Sequence, residues 1–375
     1  MISITHFIYI NMRKFYAIMA SVALMSAFTA CNNEDEIPSP MTNGDGSELI
    51  VKSVGVASVD TKAGITAEQF TNNETLGLYI YRGNGINGTT IASGDEKYND
   101  GSGSEMLSTV NVPYQTNGTS WSATHPIILS NVKGKVYAYY PYVQNNNTAG
   151  TSVDNGLAVK VSVSATQGTG QSNGKKDQDQ TDYMWATPWS DVSNAAPSVN
   201  LVMNHALTMI TFKFVQTSVA AEKYPGEGKV SQIVLKNQSG KQAVKIGDAT
   251  MNIATGVITG GTAGSITLTP NDGETLMGVG DAEKLPRLLV YPSAANITGD
   301  DAEVTVTVDG NTYTAKIPAL TDESAASKWK PGNNYIYTLT MKGTKLVVSS
   351  VAITRWHDVD GNTGENMPVQ TPDRP

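Results

Sequence analysis

From Val304 to Val308 every second residue is apolar with Thr between, and the same alternation resumes at Tyr313, Ala315 and Ile317 after Asp309-Gly310-Asn311. Period-two alternation puts the apolar side chains on one face of a strand, and an Asp-Gly pair readily takes the positive φ of a tight turn. The segment is therefore predicted to be a hairpin with one buried face. Similar short patterns recur at Leu76–Tyr81, Lys135–Tyr140, Leu157–Val163, Val230–Leu235 and Tyr335–Met341, each bounded by Gly, Asn or Pro. In Val199–Val215 the apolar phase begins on Val199, Leu201 and Met203 but ends on Ile210, Phe212 and Phe214. The buried face thus changes parity near Asn204-His205, which predicts a bulge or a crossing between sheets. Helix signals are few: Thr66–Gln69 fits one capped turn, and Thr321–Trp329 a short helix closed by Pro331. The predicted fold class is all-β.

Composition agrees, since only 16% of the residues are charged while Gly, Thr, Ser and Asn are abundant, which favours strands joined by polar turns. Gly168–Asp182 holds no apolar side chain and is predicted to be a long exposed loop. After it come Tyr183-Met-Trp185 and the turn-rich Thr187–Pro197, where a first domain (residues 47–195) is expected to give way to a second (196–375).

The first thirty residues change the picture of where the chain works. Arg13 and Lys14 precede an apolar run, Phe15–Ala30, in the order of an export signal, and Met12 is an alternative start. Sixteen helical residues reach only about 24 Å, short of a hydrocarbon core of about 30 Å, so a removable signal (residues 1–30) is expected in preference to a permanent span. Phe28-Thr-Ala-Cys31 resembles a bacterial lipobox, with Cys31, the one cysteine of the chain, as the lipidation site. The alternative is an ordinary secretory signal beside an incidental thiol, but a lone cysteine forms no internal disulfide and lipidation accounts for it. Residues 31–46 read as an acidic, flexible linker that begins Asn32-Asn-Glu-Asp-Glu36 and resembles a surface-export tag. Loss of the signal leaves 24 basic against 34 acidic side chains, a net charge of −10, which argues against nucleic acid as a partner.

Catalytic and metal motifs are weak. Gly83-Asn-Gly-Ile-Asn-Gly88 spells GxGxxG, yet no helix follows to hold a phosphate, and a glycine-rich hairpin loop is the better reading. Asp358-Val-Asp360-Gly-Asn362-Thr-Gly-Glu365 begins like a calcium loop, but Thr363 stands where Gly is needed and Val369 where the bidentate acid should be. A polar turn is favoured there. His125, His205 and His357 are widely spaced, and His205 is read as a satisfied core or bulge residue. No cofactor, metal site or catalytic constellation is expected. Trp121, Tyr183, Trp185, Trp189 and Trp356 are weighed as a sugar-stacking platform against ordinary packing, which is the default. Tyr outnumbers Phe, 16 to 6, a ratio that suits rings at strand edges with hydroxyls in water.

Five phrases stand in a suggestive order: KVYAYYPY from Lys135, QTDYMWA from Gln180, NLVMNHALTMITFKF from Asn200, LLVYPS from Leu288, and WKPGNNYIYTLTMKGTKLVVSSVAITRW from Trp329 to Trp356. On these the chain resembles the Bacteroidales fimbrillin family, the fimbrillin-like major and minor fimbrial subunits or type V pilins. The resemblance implies two transthyretin-like β-sandwich domains in tandem, with no enzymatic activity. It further implies a structural subunit of surface fimbriae, held at the outer membrane through the lipid anchor, partnered by other fimbrial subunits and contributing to adhesion or biofilm.

The resemblance also implies strand exchange after a protease removes the first strand. Here Leu49-Ile-Val51, Val54, Val56 and Val59 form an apolar segment ending at Thr61-Lys62-Ala-Gly64. Lys62 stands where the family commonly has Arg, so a Lys-accepting protease would be required. The candidate donor lies in residues 344–358, with Leu346, Val348, Val351 and Ile353 as the inserting side chains. The alternative is a monomeric surface lipoprotein that binds a glycan or a host protein with the same fold.

Overall fold

A computed structural model of the chain describes residues 46–56, 70, 72–82, 86–87, 90–91, 110–131, 133–144, 158–168, 180–270, 285–320, 327–355 and 365–367. In chain order the strands are β1 (Ser47–Glu48), β2 (Ile50–Val56), β3 (Thr75–Arg82), β4 (Ile86–Asn87), β5 (Thr90–Ile91), β6 (Val112–Thr116), β7 (Trp121–Ser122), β8 (Ile128–Leu129) and β9 (Gly134–Tyr140). Next come β10 (Ala158–Val163), β11 (Thr166–Gln167), β12 (Met184–Ala186), β13 (Trp189–Val192), β14 (Ser198–His205) and β15 (Thr208–Gln216). A three-residue 3-10 turn at Ala220–Glu222 leads to β16 (Val230–Asn237), β17 (Lys245–Asn252), β18 (Ile258–Ala263) and β19 (Ser265–Leu268). The last are β20 (Arg287–Val290), β21 (Ala302–Val308), β22 (Asn311–Lys316), β23 (Asn333–Lys342), β24 (Lys345–Arg355) and β25 (Glu365–Met367). The fold is all-β.

The largest sheet runs β2-β14-β12-β9-β3-β6-β7, with β13 also paired to β9. Its two end strands, β2 and β7, lie beside each other, so the sheet curls back on itself. The alternation along β3 and β9 explains how both faces are used. Leu76, Leu78, Ile80, Val136 and Ala138 point into the curl, where they join Val199, Leu201 and Met203 of β14 in one apolar cluster. Tyr79, Tyr81, Tyr137 and Tyr139 alternate with them and enter a second, larger cluster.

That second cluster is lined by three further sheets, ordered β10-β17-β18, β11-β19-β16-β21-β22 and β20-β15-β23-β24-β25. The predicted hairpin is β21–β22, paired from Val308↔Asn311 to Glu303↔Lys316, with Asp309 (φ 48°) and Gly310 (φ 78°) making its turn. Val304, Val306 and Val308 are buried as the alternation requires.

The parity change lies at the end of β14. Val199, Leu201 and Met203 enter the first cluster, while Leu207, Ile210, Phe212 and Phe214 enter the second, so the chain crosses from one sheet to another at Ala206-Leu207. Backbone and side chains of the 330–334 segment fix this crossing: Gly332 N–H donates to Leu207 O (2.8 Å), Thr208 Oγ1 to Lys330 O (2.8 Å), and Thr211 Oγ1 to Asn334 Oδ1 (2.7 Å). His205 is buried there, with Nδ1 2.9 Å from Asp182 Oδ2.

Two expectations are corrected. The tyrosines are not mainly at strand edges: Tyr79, Tyr81, Tyr114, Tyr137, Tyr139, Tyr335 and Tyr337 are fully buried. Several hydroxyls find partners inside, as where Tyr337 Oη accepts from Trp329 Nε1 at 2.9 Å. Nor is the polar stretch wholly exposed. Residues 169–179 lie outside the described part, but Gln167 and Gln180, on either side, are buried among backbone groups.

Candidate functional site at the first strand

The chain enters the fold bonded on both sides and then continues against one neighbour. β1 pairs with β8, Leu49 N–H donates to Ile127 O (2.8 Å), and Ile50 N–H to Pro197 O (2.8 Å). β2 then runs parallel to β14, from Ile50↔Ser198 to Val56↔Met203, with a register shift at Lys52. It ends the sheet order, so its ladder has β14 alone as partner. Ser53 Oγ adds a hydrogen bond to Asn200 Oδ1 at 2.8 Å.

What holds the strand is chiefly its apolar face. Leu49, Val51 and Val56 are buried, and Val54 is half-buried against them. Three such side chains contribute about 5 to 9 kcal/mol of gross burial before ordering costs. The groove floor beneath is built by the rest of the sheet: Val199, Leu201 and Met203 from β14, Tyr114 from β6, and Ile127 and Leu129 around β8. Tyr114 Oη donates to Leu49 O (3.3 Å) and accepts from Ile127 N–H (3.1 Å), so one phenol links the entering strand to the floor. Burial pushes its pKa up, which keeps it a donor.

The other predicted segment occupies a different sheet. β24 is antiparallel to β23 along its length, and β25 covers only Val351–Ile353 on the outer side. Leu346 and Val351 are buried in the second cluster; Val348 and Ile353 are half-buried against it. β2 and β24 therefore serve separate cores and are not brought together within one chain. Cys31, Lys62, Trp356 and residues 358–364 lie outside the described part, and Glu365 opens β25. Ile86–Asn87 pairs antiparallel with Thr90–Ile91, as a hairpin at the glycine-rich stretch requires.

The aromatic residues are dispersed into packing roles. Trp121 meets Phe70 edge-on at 5.4 Å, Tyr183 Oη accepts from Ser162 N–H, and Trp185 lies over Gly256. Trp189 is exposed on β13. Tyr140, beside Phe70, has its pKa pushed up to about 12 by burial and by its hydrogen bond to Glu74 Oε1 (3.0 Å). His125 is exposed and His205 buried on a different element.

A curled sheet with β2 at its edge, joined by a strand crossing to a second β core, defines the class of protein: an all-β chain with two apolar cores. The model of the fimbrillin-like family matches residues 61–356, and the chain belongs to that family. Among solved structures it is similar to a protein assigned to cell adhesion from Bacteroides ovatus, with 16% identity, a TM-score of 0.52, and coverage of 88% of this chain and 99% of that one. A second such protein, from Bacteroides uniformis, shows 17% identity and a TM-score of 0.50, covering 84% of this chain and 100% of that one. Both likenesses concern the fold. No curated protein sequence matches the chain.

Proposed function

We propose that this chain is a non-enzymatic structural subunit of a cell-surface fimbrium, assembled by protease-triggered strand exchange and contributing to adhesion. The observation that carries the reading is the position of β2: an apolar strand with β14 as its one ladder partner, lying over a floor that other strands complete. Removing it would bare the edge of β14 together with Val199, Leu201 and Met203, an arrangement stable only when another strand takes its place. Cys31 would anchor the chain at the outer membrane until cleavage after Lys62 releases β2 together with the anchor, and β24 would be the donor through Leu346, Val348, Val351 and Ile353. On this reading there are two transthyretin-like domains, and because β14 pairs in the first sheet the boundary expected near residues 195–196 would fall instead at the Ala206-Leu207 crossing.

A second reading, a monomeric surface lipoprotein that binds a glycan or host protein, is favoured by one observation. β24 is laddered to its own β23 and buries Leu346 and Val351 at home, so donation requires it to leave a formed sheet. The test is to trim the purified chain with a Lys-cutting protease. Heat-labile ladders on gels and fibres by electron microscopy are expected of the subunit; a clipped monomer alone would leave the second reading.

A further inference from the structure

The outer strands of two sheets are closed by side-chain amides. β20 ends its sheet, with β15 as its ladder partner. Because Phe212 N–H donates to Pro286 O, the alternation of an antiparallel ladder turns the N–H and C=O of Leu289 away from β15. Both are taken by one residue: Gln167 Nε2 donates to Leu289 O (2.8 Å), and Leu289 N–H donates to Gln167 Oε1 (2.9 Å). The amide thus makes the two hydrogen bonds that a further strand would make, and Gln167 is fully buried.

The outer side of β10 is closed in the same way. Gln180 Nε2 donates to Ser162 O (2.8 Å), Ser164 N–H donates to Gln180 Oε1 (2.7 Å), and Ser162 N–H donates to the Tyr183 hydroxyl (3.1 Å). Three successive outward groups of that edge are satisfied by side chains. The far edge of the same sheet is β18, where Gly260 (φ 109°) and Gly261 (φ 69°) sit at a register shift that bends the strand. A bent edge is a poor template for a second strand.

We propose that Gln167 and Gln180 seal β20 and β10 against strand addition by a second copy of this chain. The sealing does not depend on the assembly reading above. A protein that joins its neighbours by adding strands must keep its other edges closed, since backbone edges accept almost any extended segment.

The test uses the full, untrimmed chain, in which no groove has been opened, so its outcome is independent of whether trimmed subunits polymerise. Gln167→Met and Gln180→Met keep side-chain length and remove the amide, separately and together. Asn237→Leu is the control for lost stability, because Asn237 makes the same two-bond contact with Val244 (2.7 and 2.7 Å) on β16, which has a partner on each side. In dilute solution the amides of Leu289 and Ser164 should exchange at least about tenfold faster in the double variant, the size expected when a buried N–H loses its acceptor. On concentration the double variant should sediment as dimers or larger species at a protein concentration at least about tenfold below that at which wild type or Asn237→Leu associates. Accelerated exchange without association would overturn the proposal, as would unchanged exchange. Should the double variant not fold, wild type decides: Leu289 and Ser164 amides exchanging as fast as those of the exposed Asn117–Ser120 turn would show that the edges are not sealed.

Discussion

Tyr139 stands directly opposite Gly77 across the β3–β9 ladder, and its ring occupies the space a larger residue at 77 would need. A Cβ there would lie 2.1 Å from Tyr139 Cε1 and 2.9 Å from Asn111 Oδ1. The ring is not free to swing aside, since its hydroxyl donates to Asn111 Oδ1 (2.8 Å) and accepts from Val143 N–H (3.0 Å). Gly77→Ala should therefore cost about 1 to 3 kcal/mol, the usual range for overpacking. Urea unfolding monitored by tryptophan fluorescence checks this; an unchanged midpoint would mean that the Tyr139 side of the sheet is looser than its hydrogen bonds indicate.

Tyr114→Phe isolates the link between the first strand and its floor. The substitution leaves Leu49 O and Ile127 N–H without the phenol that joins them, while the ring remains. Leaving buried backbone groups short of a partner costs about 1 to 3 kcal/mol. The loss should be local first: amide exchange over β2 should rise more than exchange over β23, the strand paired on both sides in the other core. Equal change in both would place the phenol's effect in global stability instead.

The β21–β22 turn gives a pH dependence with a defined sign. Burial works against ionisation of Asp309, but hydrogen bonds from Gly228 N–H and Lys229 N–H (2.9 Å each), the Tyr224 hydroxyl and the Lys229 charge outweigh it, and its pKa is lowered. A depressed folded-state value means that the unfolded chain binds the proton more readily. The stabilisation is therefore complete above the ordinary carboxylate value of about 3.9 and is lost as pH falls through the folded value. Asn also accepts positive φ, so Asp309→Asn keeps the turn and removes the charge. The stability gap between wild type and Asp309→Asn should be larger at pH 7 than at about pH 3. A gap of the same size at both would assign Asp309 a purely geometric role.

What could be read from the sequence was local. The β21–β22 hairpin and the parity change in Val199–Val215 are legible because alternation and an Asp-Gly turn act within a few residues. The parallel pairing of β2 with β14, and of β15 with β23, joins segments more than a hundred residues apart, and no periodicity in either partner names the other. Gln167 and Gln180 were hidden for a different reason. Glutamine in a polar stretch reads as solvated, and only the fold reveals that its amide replaces a strand. The tyrosines misled similarly: a phenol suits a wet edge, yet a buried one is tolerated wherever backbone or side-chain partners converge, as they do at Tyr139 and Tyr335.

The half-buried positions of β24 offer a cleaner test of donation than the buried ones. A carboxylate at Val351 would enter a closed core, so loss of assembly in Val351→Asp would not separate failed folding from failed insertion. Ile353 and Val348 lie at the margin of that core, where a charge can turn toward water at a cost of about 1 to 3 kcal/mol. Ile353→Asp and Val348→Asp should therefore remain folded and be trimmed by a Lys-cutting protease at the wild-type rate, yet give no heat-labile ladder, because a donor carrying a carboxylate cannot fill an apolar groove floored by Val199, Leu201 and Met203. Ladders of wild-type length from the doubly substituted chain would show that the inserted segment is not β24.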